Sequence, residues 1–394
     1  MLNQTVIFCG GFGKRLLPLT KKIPKVMVFV EGKPFLYHLI IQSKKNGIKN
    51  FLILCGYKHK IIKKYFGDGS KFGVNIKYHY NEPGIETLKR LLDARHLLKK
   101  SFLLLYGDNY SSLNLHDLIN QKYFKKKSIL ITVCKKKNGN ILLDKKNKLI
   151  KKYFFKKNFL SNYVEIGYMI LEKNILPKNN NQNISFNLFI KECIKKRKAF
   201  FYLNDTGYLS ISDINRLQIT RKFFKQKIIL LDRDGVINYK NKKHYYVRSL
   251  NELRINFKFI KKYYKLLKNK KIICITNQPG ISTGDLTKKN LILIHKKIVS
   301  EYKKKRLKIV DFFVSNHHFL STHFDRKPGY GLFLKASQKY NFILDRVLYI
   351  GDDLRDAQAA YNAKTMFIYL GKKIKNNSPI YLKNALIENY NNNE

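Results

Sequence analysis

Asp232 and Asp234 stand two residues apart behind the apolar stretch Lys227–Leu231, and Gly235 follows them. Two carboxylates at a strand end share one crevice if the chain turns there, and glycine permits such a turn. One can then serve as nucleophile and metal ligand, the other as general acid. An isolated Asp-x-Asp is commoner in surface turns, so the pair needs support. Three later segments supply it: Ile275-Thr276-Asn277-Gln278, Arg326-Lys327-Pro328-Gly329 and Tyr349-Ile350-Gly351-Asp352-Asp353-Leu354-Arg355-Asp356. Two of them end apolar runs on polar groups, and the third sets cations before a helical stretch.

A second constellation opens the chain: Cys9-Gly10-Gly11-Phe12-Gly13-Lys14-Arg15-Leu16, then Pro18-Leu19-Thr20 and Pro24-Lys25. Glycines let backbone N–H groups approach phosphate oxygens, and Lys14, Arg15 and Lys25 can neutralise them. Arg15 stands where a Walker A loop needs Ser or Thr, and Leu16 where a dinucleotide fingerprint needs its third glycine, so neither of those motifs applies.

The elements that must hold these residues alternate between short apolar runs and helical patterns, which implies α/β architecture with parallel sheets. Strands are expected at Thr5–Cys9, Phe51–Cys55, Ile76–Tyr80, Phe102–Tyr106 and Ile129–Cys134, with helices at Pro34–Lys45 and Thr87–Lys99. The asparagine-rich stretch Lys178–Asn183 reads as a surface loop. The pattern restarts at Lys227–Leu231 and continues through helix Phe257–Leu267, strand Ile272–Thr276, helix Leu286–Tyr302, strand Ile309–Ser315, helix Gly331–Tyr340 and strand Val347–Ile350. A length of 394 residues accommodates two or three domains. The expected division is 1–222, a short basic linker 223–226, and 227–394, with a frayed tail at 391–394.

Composition narrows the function classes. A hydrophobic fraction of 44% excludes wholesale disorder. The net charge of +53 invites a polyanion partner. The excess, however, is mostly lysine spread along the whole chain, and Trp is absent, as AT-rich codon usage favours. The five cysteines form no CxxC pair, which points to buried thiols in a reducing, cytoplasmic setting. No apolar run approaches the ~20 residues of a membrane span, and no signal peptide is legible at the N-terminus.

The stretch GGFGKRLLPLTKKIPKVM, followed by EGKPFLYHLI, closely resembles the opening of sugar-1-phosphate nucleotidyltransferases over about residues 1–220. The resemblance implies a Rossmann-like three-layer domain that joins a nucleoside triphosphate to a sugar 1-phosphate and releases pyrophosphate. It implies that Gly10, Gly11, Gly13 and Arg15 hold the triphosphate and that Lys25 contacts phosphate near the reacting centre. Asp108, after Leu103–Gly107, and Asp205, in Asn204-Asp205-Thr206-Gly207, correspond to the family's Mg2+ ligands. Ser161–Tyr168 resembles its sugar-contacting strand, with Glu165 accepting from sugar hydroxyls beside Gly167, and Lys156 or Lys157 binding the sugar phosphate. The segment Glu82–Thr87 departs from the family's Gly-Thr-rich turn, which touches base selection and part of the sugar pocket.

Residues 227–375 resemble the haloacid dehalogenase-type phosphatases in the order and spacing of all four motifs. A second three-layer Rossmann-like domain is implied, in which Asp232 attacks phosphorus and Asp234 is the general acid and then base. Asp232, the backbone of Asp234, and Asp352 hold Mg2+, while Thr276 and Lys327 bind the transferring phosphoryl group and Asp356 orients Lys327 or the metal shell. DRDGVIN, TNQPGIS and RKPG most resemble phosphatases of heptose bisphosphate and histidinol phosphate. Asn277 and Arg326 are counted with the substrate-binding residues. The zinc loop of many such enzymes lacks every cysteine here, leaving His317, His323 and Asp325, so no zinc is expected.

The two resemblances together imply a bifunctional enzyme of nucleotide-heptose synthesis for lipopolysaccharide or related glycans. Heptose 1,7-bisphosphate would lose its 7-phosphate, and heptose 1-phosphate would then receive a nucleotidyl group, with GTP as the favoured donor. The expected ligands are a nucleoside triphosphate and sugar phosphates, with no specific nucleic acid and no membrane. One alternative keeps the chemistry but changes the substrates to histidinol phosphate or another sugar phosphate and a hexose 1-phosphate. Another takes the chain as a basic polyanion-binding protein with decayed sites. Retention of Asp108, Asp205, Asp232, Asp234 and Asp352 argues against the latter.

Overall fold

The computed structural model describes residues 2–371 except 113, 122–126, 157, 179–182, 242, 244 and 245, and beyond them 382, 386 and 387. Lys157, residues 179–182 of the asparagine-rich loop and the tail 391–394 thus lie outside the described residues. The chain divides into two compact units, Met1–Arg221 and Lys222–Glu394. The expected linker 223–226 begins on the last two residues of the helix Ile214–Phe224.

The strands of the first unit are β1 (Thr5–Cys9), β2 (Phe29–Val30), β3 (Lys33–Pro34), β4 (Asn50–Cys55), β5 (Asn75–Tyr80), β6 (Ser101–Tyr106), β7 (Asn109–Tyr110), β8 (Ile129–Lys135), β9 (Ile141–Asp144), β10 (Leu149–Tyr153), β11 (Tyr163–Glu172), β12 (Ala199–Leu203) and β13 (Leu209–Ser210). Nine of them form one sheet in the order β5-β4-β1-β6-β11-β8-β12-β10-β9. The β5-β4-β1-β6 half is parallel. Its central strands are buried on both faces, as their unbroken apolar runs require: Val6, Ile7, Leu52, Ile53, Leu103 and Leu104 are almost wholly inaccessible.

The α/β architecture holds, but the expected parallel sheet is mixed in this unit, because β11 runs antiparallel to both β6 and β8. The hairpin β9–β10 adds a further antiparallel pair, and its cause is local. Asp144 Oδ1 accepts from the Asn147 N–H and closes a short turn, and a short turn joins only antiparallel neighbours. The expected helix Thr87–Lys99 is also shorter, ending at Asp93. Arg95 turns out of its line, and its guanidinium donates to the carbonyls of Pro177 at 2.9 Å and Lys173 at 3.3 Å.

The second unit has one sheet of six parallel strands: β14 (Ile228–Leu231), β15 (Lys271–Asn277), β16 (Lys308–Ser315), β17 (Leu348–Gly351), β18 (Met366–Tyr369) and β19 (Leu386–Ile387). Their order is β16-β15-β14-β17-β18-β19. Alternation along the strands fills a core on each face. Ile229, Leu231, Ile272 and Cys274 pack with residues of helices Phe257–Leu267 and Lys288–Lys304. Ile228, Leu230, Ile273 and Ile275 pack with those of Gly331–Tyr340 and Leu354–Ala363. The result is a three-layer α/β sandwich. With all strands parallel, the ends of β14, β15 and β17 open on one edge, where ligands of such sheets bind.

Two candidate active sites

In the first unit the glycine loop leaves the end of β1. Gly13 has φ of +69°, a left-handed conformation that glycine adopts without strain, and Lys14–Leu16 form one helical turn after it. The Thr20 hydroxyl donates to the Gly13 carbonyl at 2.9 Å and ties the loop to the next turn. Gly11, Phe12, Lys14 and Arg15 are exposed, with open space around Gly11. Lys25 leads the turn Lys25–Met27, and its Nζ meets Asp108 Oδ2 at 2.6 Å, each side chain 20% exposed. The expected phosphate ligand and metal ligand thus form an ion pair with each other.

Asp205 lies on an exposed loop between β12 and β13. Pairing of β13 with β7 brings that loop to Asp108, whose carbonyl accepts from the Ile211 N–H at 2.9 Å. Asn204 and Ser111 fasten it further at 2.6 Å. Lys156 is exposed on the loop after β10. Glu165 is buried; it sits in an irregularity of the β8–β11 ladder, and its carboxylate accepts from the Gly167 N–H. Burial pushes its carboxyl up to about 7, against the opposing effect of that hydrogen bond. The carboxylate is folded onto its own backbone, so an additional bond to a sugar must use its remaining acceptor capacity.

Arg90 is a residue that sequence reasoning missed. Its buried guanidinium donates to the carbonyls of Ile85 (2.9 Å), Cys55 (2.6 Å), Asn81 (3.2 Å) and Glu82 (2.9 Å). A Cβ on Gly10 would lie 2.6 Å from its Cζ, so Gly10 is small to admit Arg90. The atypical segment Glu82–Thr87 is therefore held by a cation behind the glycine loop. The only sequence signal is an arginine at a helix position, Arg90, flanked by the apolar Leu88 and Leu91.

In the second unit the registers place Leu231 beside Cys274 and Ile350, which sets Asp232, Thr276 and Asp352 at one edge. Asp232 Oδ1 meets Lys327 Nζ at 2.6 Å, with side chains only 10% and 4% exposed. Lys327 also reaches Asp356 Oδ1 at 2.6 Å and the Tyr349 hydroxyl at 3.0 Å, and that hydroxyl donates to Asp356 at 2.8 Å. Burial raises the Asp232 carboxyl, as do Asp356 and Asp352, while Lys327 opposes them. Burial pulls the Lys327 ammonium down, but Asp232 and Asp356 outweigh it and hold it above its ordinary range.

Asp234 accepts from Arg233 (Nε 3.0 Å, Nη2 3.2 Å), Asn238 (2.9 Å) and Gln278 (2.8 Å), and Gln278 also donates to Thr276 Oγ1 at 2.8 Å. Its carboxylate is thus fully engaged as an acceptor. Asn277, expected among the substrate contacts, braces the backbone of Lys327: its amide donates to the Lys327 carbonyl at 3.1 Å, and its oxygen accepts from the Lys327 N–H at 3.0 Å. Arg326 is buried, and its guanidinium donates to the His317 carbonyl at 3.2 Å.

Oxygens of Asp232, Asp352 and Asp356 lie within 4.8 Å of one another. Gly235 has φ of +99°, and a Cβ there would fall 2.1 Å from Asp352 Oδ2, so the turn and the carboxylate together demand glycine. Asp352 Oδ1 is buried with no hydrogen-bond partner among the described residues, and its Oδ2 meets Lys240 Nζ at 2.6 Å. Burial raises the Asp352 carboxyl to about 6, with Lys240 opposing the shift. An unpartnered buried oxygen in a cluster of hard donors fits a divalent cation. Lys240 and Tyr349 were both missed; Tyr349 had a faint signal as a hydroxyl inside an otherwise apolar strand.

His317, His323 and Asp325 also converge, with the two rings stacked 3.7 Å apart. Asp325 pairs with Lys335, and His323 Nδ1 accepts from the Asp325 N–H at 3.1 Å. The cysteines are buried and unbridged. Among the described residues, no helix is long and apolar enough to cross a membrane.

Residues 4–197 match the family model for nucleotidyl transferases, and residues 227–369 match that for polynucleotide kinase 3 phosphatases. A D-glycero-alpha-D-manno-heptose 1-phosphate guanylyltransferase of Campylobacter jejuni is 31% identical over 217 residues, covering 53% of this chain and 94% of its own length. The structure of HddC from Yersinia pseudotuberculosis, complexed with GMP-PN, has a TM-score of 0.50 at 20% identity and matches 57% of this chain and 100% of its own. A D,D-heptose 1,7-bisphosphate phosphatase of B. bronchiseptica, complexed with magnesium and phosphate, is 27% identical, with a TM-score of 0.34 over 37% of this chain and 80% of its own.

Proposed function

The chain belongs to the nucleotidyl transferase family and carries a haloacid dehalogenase-like phosphatase unit behind it, and on that premise we propose that it converts a heptose bisphosphate into a nucleotide-heptose in two consecutive reactions. The observation that carries this reading is the likeness of the first unit to a heptose 1-phosphate guanylyltransferase beside a second unit whose buried Asp232 faces Lys327.

In the phosphatase reaction an Asp232 oxygen attacks the phosphorus of the 7-phosphate, and the bond to the sugar oxygen breaks. That oxygen takes a proton from Asp234. Water, giving its proton to Asp234, then attacks the aspartyl phosphate and releases inorganic phosphate with Asp232 restored. Lys327 and Thr276 hold the transferring group, and Asn277 and Tyr349 fix Lys327. For its acid–base role Asp234 must exchange one of its hydrogen bonds to Arg233, Asn238 or Gln278 for the substrate.

In the transfer reaction an oxygen of heptose 1-phosphate attacks the α-phosphorus of the triphosphate, and pyrophosphate leaves. The first unit contributes position and charge: Gly10, Gly11, Gly13 and Arg15 at the triphosphate, Lys25 near the reacting phosphorus, and Lys156, Glu165 and Gly167 at the sugar phosphate. Lys25 turns from Asp108 to phosphate when the nucleotide binds. Mg2+ would be held by Asp108 and Asp205 in this unit, and by Asp232, the Asp234 backbone and Asp352 in the other, where it supplies charge neutralisation on phosphate oxygens. The donor set His317, His323 and Asp325 contains no thiolate, and Lys335 competes for its carboxylate, so the reading needs no zinc.

The test gives the purified chain heptose 1,7-bisphosphate, Mg2+ and each of the four nucleoside triphosphates in turn. Phosphate, pyrophosphate and nucleotide-sugar are followed by mass spectrometry. GDP-heptose formed with GTP is expected. Phosphate release without nucleotide-sugar would remove the heptose transfer, and turnover of histidinol phosphate in its place would remove the heptose reading altogether.

A further inference from the structure

The phosphatase edge holds a cation that neither the family motifs nor the reaction accounts for. Lys240 lies beyond the turn that follows the nucleophile, and its Nζ is 2.6 Å from Asp352 Oδ2. The chain just before it is fixed: Asn238 is fully buried and bonded to Asp234, and the Tyr239 N–H donates to the Arg254 carbonyl at 2.9 Å. The Lys240 side chain is not fixed in the same way. It is 34% exposed, while Asp352 is 5% exposed, so the lysine reaches in from solvent to a buried carboxylate.

The other lysine of the edge is committed elsewhere. Lys327 serves Asp232 and Asp356, and among the described residues Asp352 keeps one oxygen without a hydrogen-bond partner and one oxygen on Lys240. Three clustered carboxylates repel one another strongly in a low dielectric, and a buried unpaired carboxylate is costly. Lys240 relieves that cost with a single charge on a flexible stem. Exchanging it for a divalent cation would bring the three carboxylates and Lys327 to neutrality.

We propose that Lys240 is a built-in stand-in for the divalent cation: its ammonium holds Asp352 while the ion is away and must leave that carboxylate when the ion binds. The inference rests on the metal-dependent phosphatase reading above. Lys240 is accordingly a positioning residue that sets how much Mg2+ the phosphatase unit needs. Lys240 is one-third exposed and can swing back into water, which offsets part of what the pair gains, so the competition is modest, on the order of tenfold in affinity.

The test uses the full chain carrying Asp108→Asn, which removes the metal site proposed for the first unit. Lysines are acetylated briefly with and without Mg2+, and the fraction modified at Lys240 is read by peptide mass spectrometry, with the exposed Lys243 as internal reference. Mg2+ affinity is measured by calorimetry on the same protein and on its Lys240→Met and Lys240→Gln forms, each checked for folding by circular dichroism. The expected result is several-fold greater Lys240 modification with saturating Mg2+ and no change at Lys243. Asp352→Asn is expected to leave Lys240 fully reactive without metal, and both Lys240 variants to bind Mg2+ about tenfold more tightly. Mg2+ binding that depends on Asp352 but leaves Lys240 reactivity unchanged would overturn the stand-in and spare the metal site. Mg2+ binding unaffected by Asp352→Asn would overturn the metal assignment, and the stand-in with it.

Discussion

Both candidate sites pair a lysine with an aspartate at 2.6 Å, yet the two pairs sit in different surroundings. Lys25 and Asp108 are each 20% exposed beside a loop whose Lys14 and Arg15 face solvent. Lys327 and Asp232 are 4% and 10% exposed, and Lys327 is further held by Asp356, Tyr349 and the Asn277 brace. The difference suits the two reactions. Nucleotidyl transfer uses no enzyme nucleophile, so its charged groups must admit a large polyanion and can wait in water. An aspartyl nucleophile must meet phosphorus with its charge undiluted by solvent, which asks for burial and a rigid counter-charge.

That comparison is broken most sharply at Asp232. Asp232→Asn is expected to lower phosphatase turnover by at least about 10³-fold, since it removes the proposed nucleophile, while nucleotidyl transfer from heptose 1-phosphate stays near wild type. Arg15→Ala is the converse. A phosphate-neutralising group is worth roughly 10²-fold or more in transfer, and phosphate release from the bisphosphate should not change. Kinetics of both reactions on each variant check the pair, and loss of both activities in either one would merge sites that the account keeps apart.

Smaller effects sharpen the contrast in burial. Tyr349→Phe removes one hydroxyl between Lys327 and Asp356, so phosphatase turnover should fall by about tenfold and transfer should be untouched, as steady-state assays would show. Glu165 provides a test by pH. Its carboxyl is raised by burial from 4.5 to about 7, so the folded first unit binds this proton more tightly than the unfolded chain does. The stabilisation it lends is complete below pH ~4.5 and is lost as pH rises to about 7, by up to ~3 kcal/mol. Glu165→Gln should flatten that fall in denaturant melts of the first unit, and equal pH slopes in the two proteins would contradict the burial argument.

The residues that announce themselves in the sequence are those at strand ends. Asp232, Thr276 and Asp352 each follow an apolar run, and parallel registers carry such residues to one edge, so their convergence is legible without coordinates. Strands β14 to β17 of the second unit are legible for the same reason, since a central parallel strand is one apolar run, whereas β18 and β19 were not read from the sequence. In the mixed half of the first sheet β8 is legible but the hairpin is not, because β9 and β10 are short and half-polar, and only the turn at Asp144–Asn147 marks them. Lys240 and Arg90 were hidden by composition. In a chain with 79 lysines and arginines a functional cation carries no contrast, and only its buried partners distinguish it. Asn277 has a structural part that its place in the motif does not announce, since its amide reaches across to the Lys327 backbone.

The central claim is that two separate sites act in sequence on one sugar. It is tested most directly by giving the Asp232→Asn chain GTP and Mg2+ with either heptose 1,7-bisphosphate or heptose 1-phosphate, and following the products by phosphorus NMR. No GDP-heptose is expected from the bisphosphate and near wild-type GDP-heptose from the monophosphate. GDP-heptose formed from the bisphosphate at the wild-type rate, or none from either sugar, would contradict the claim.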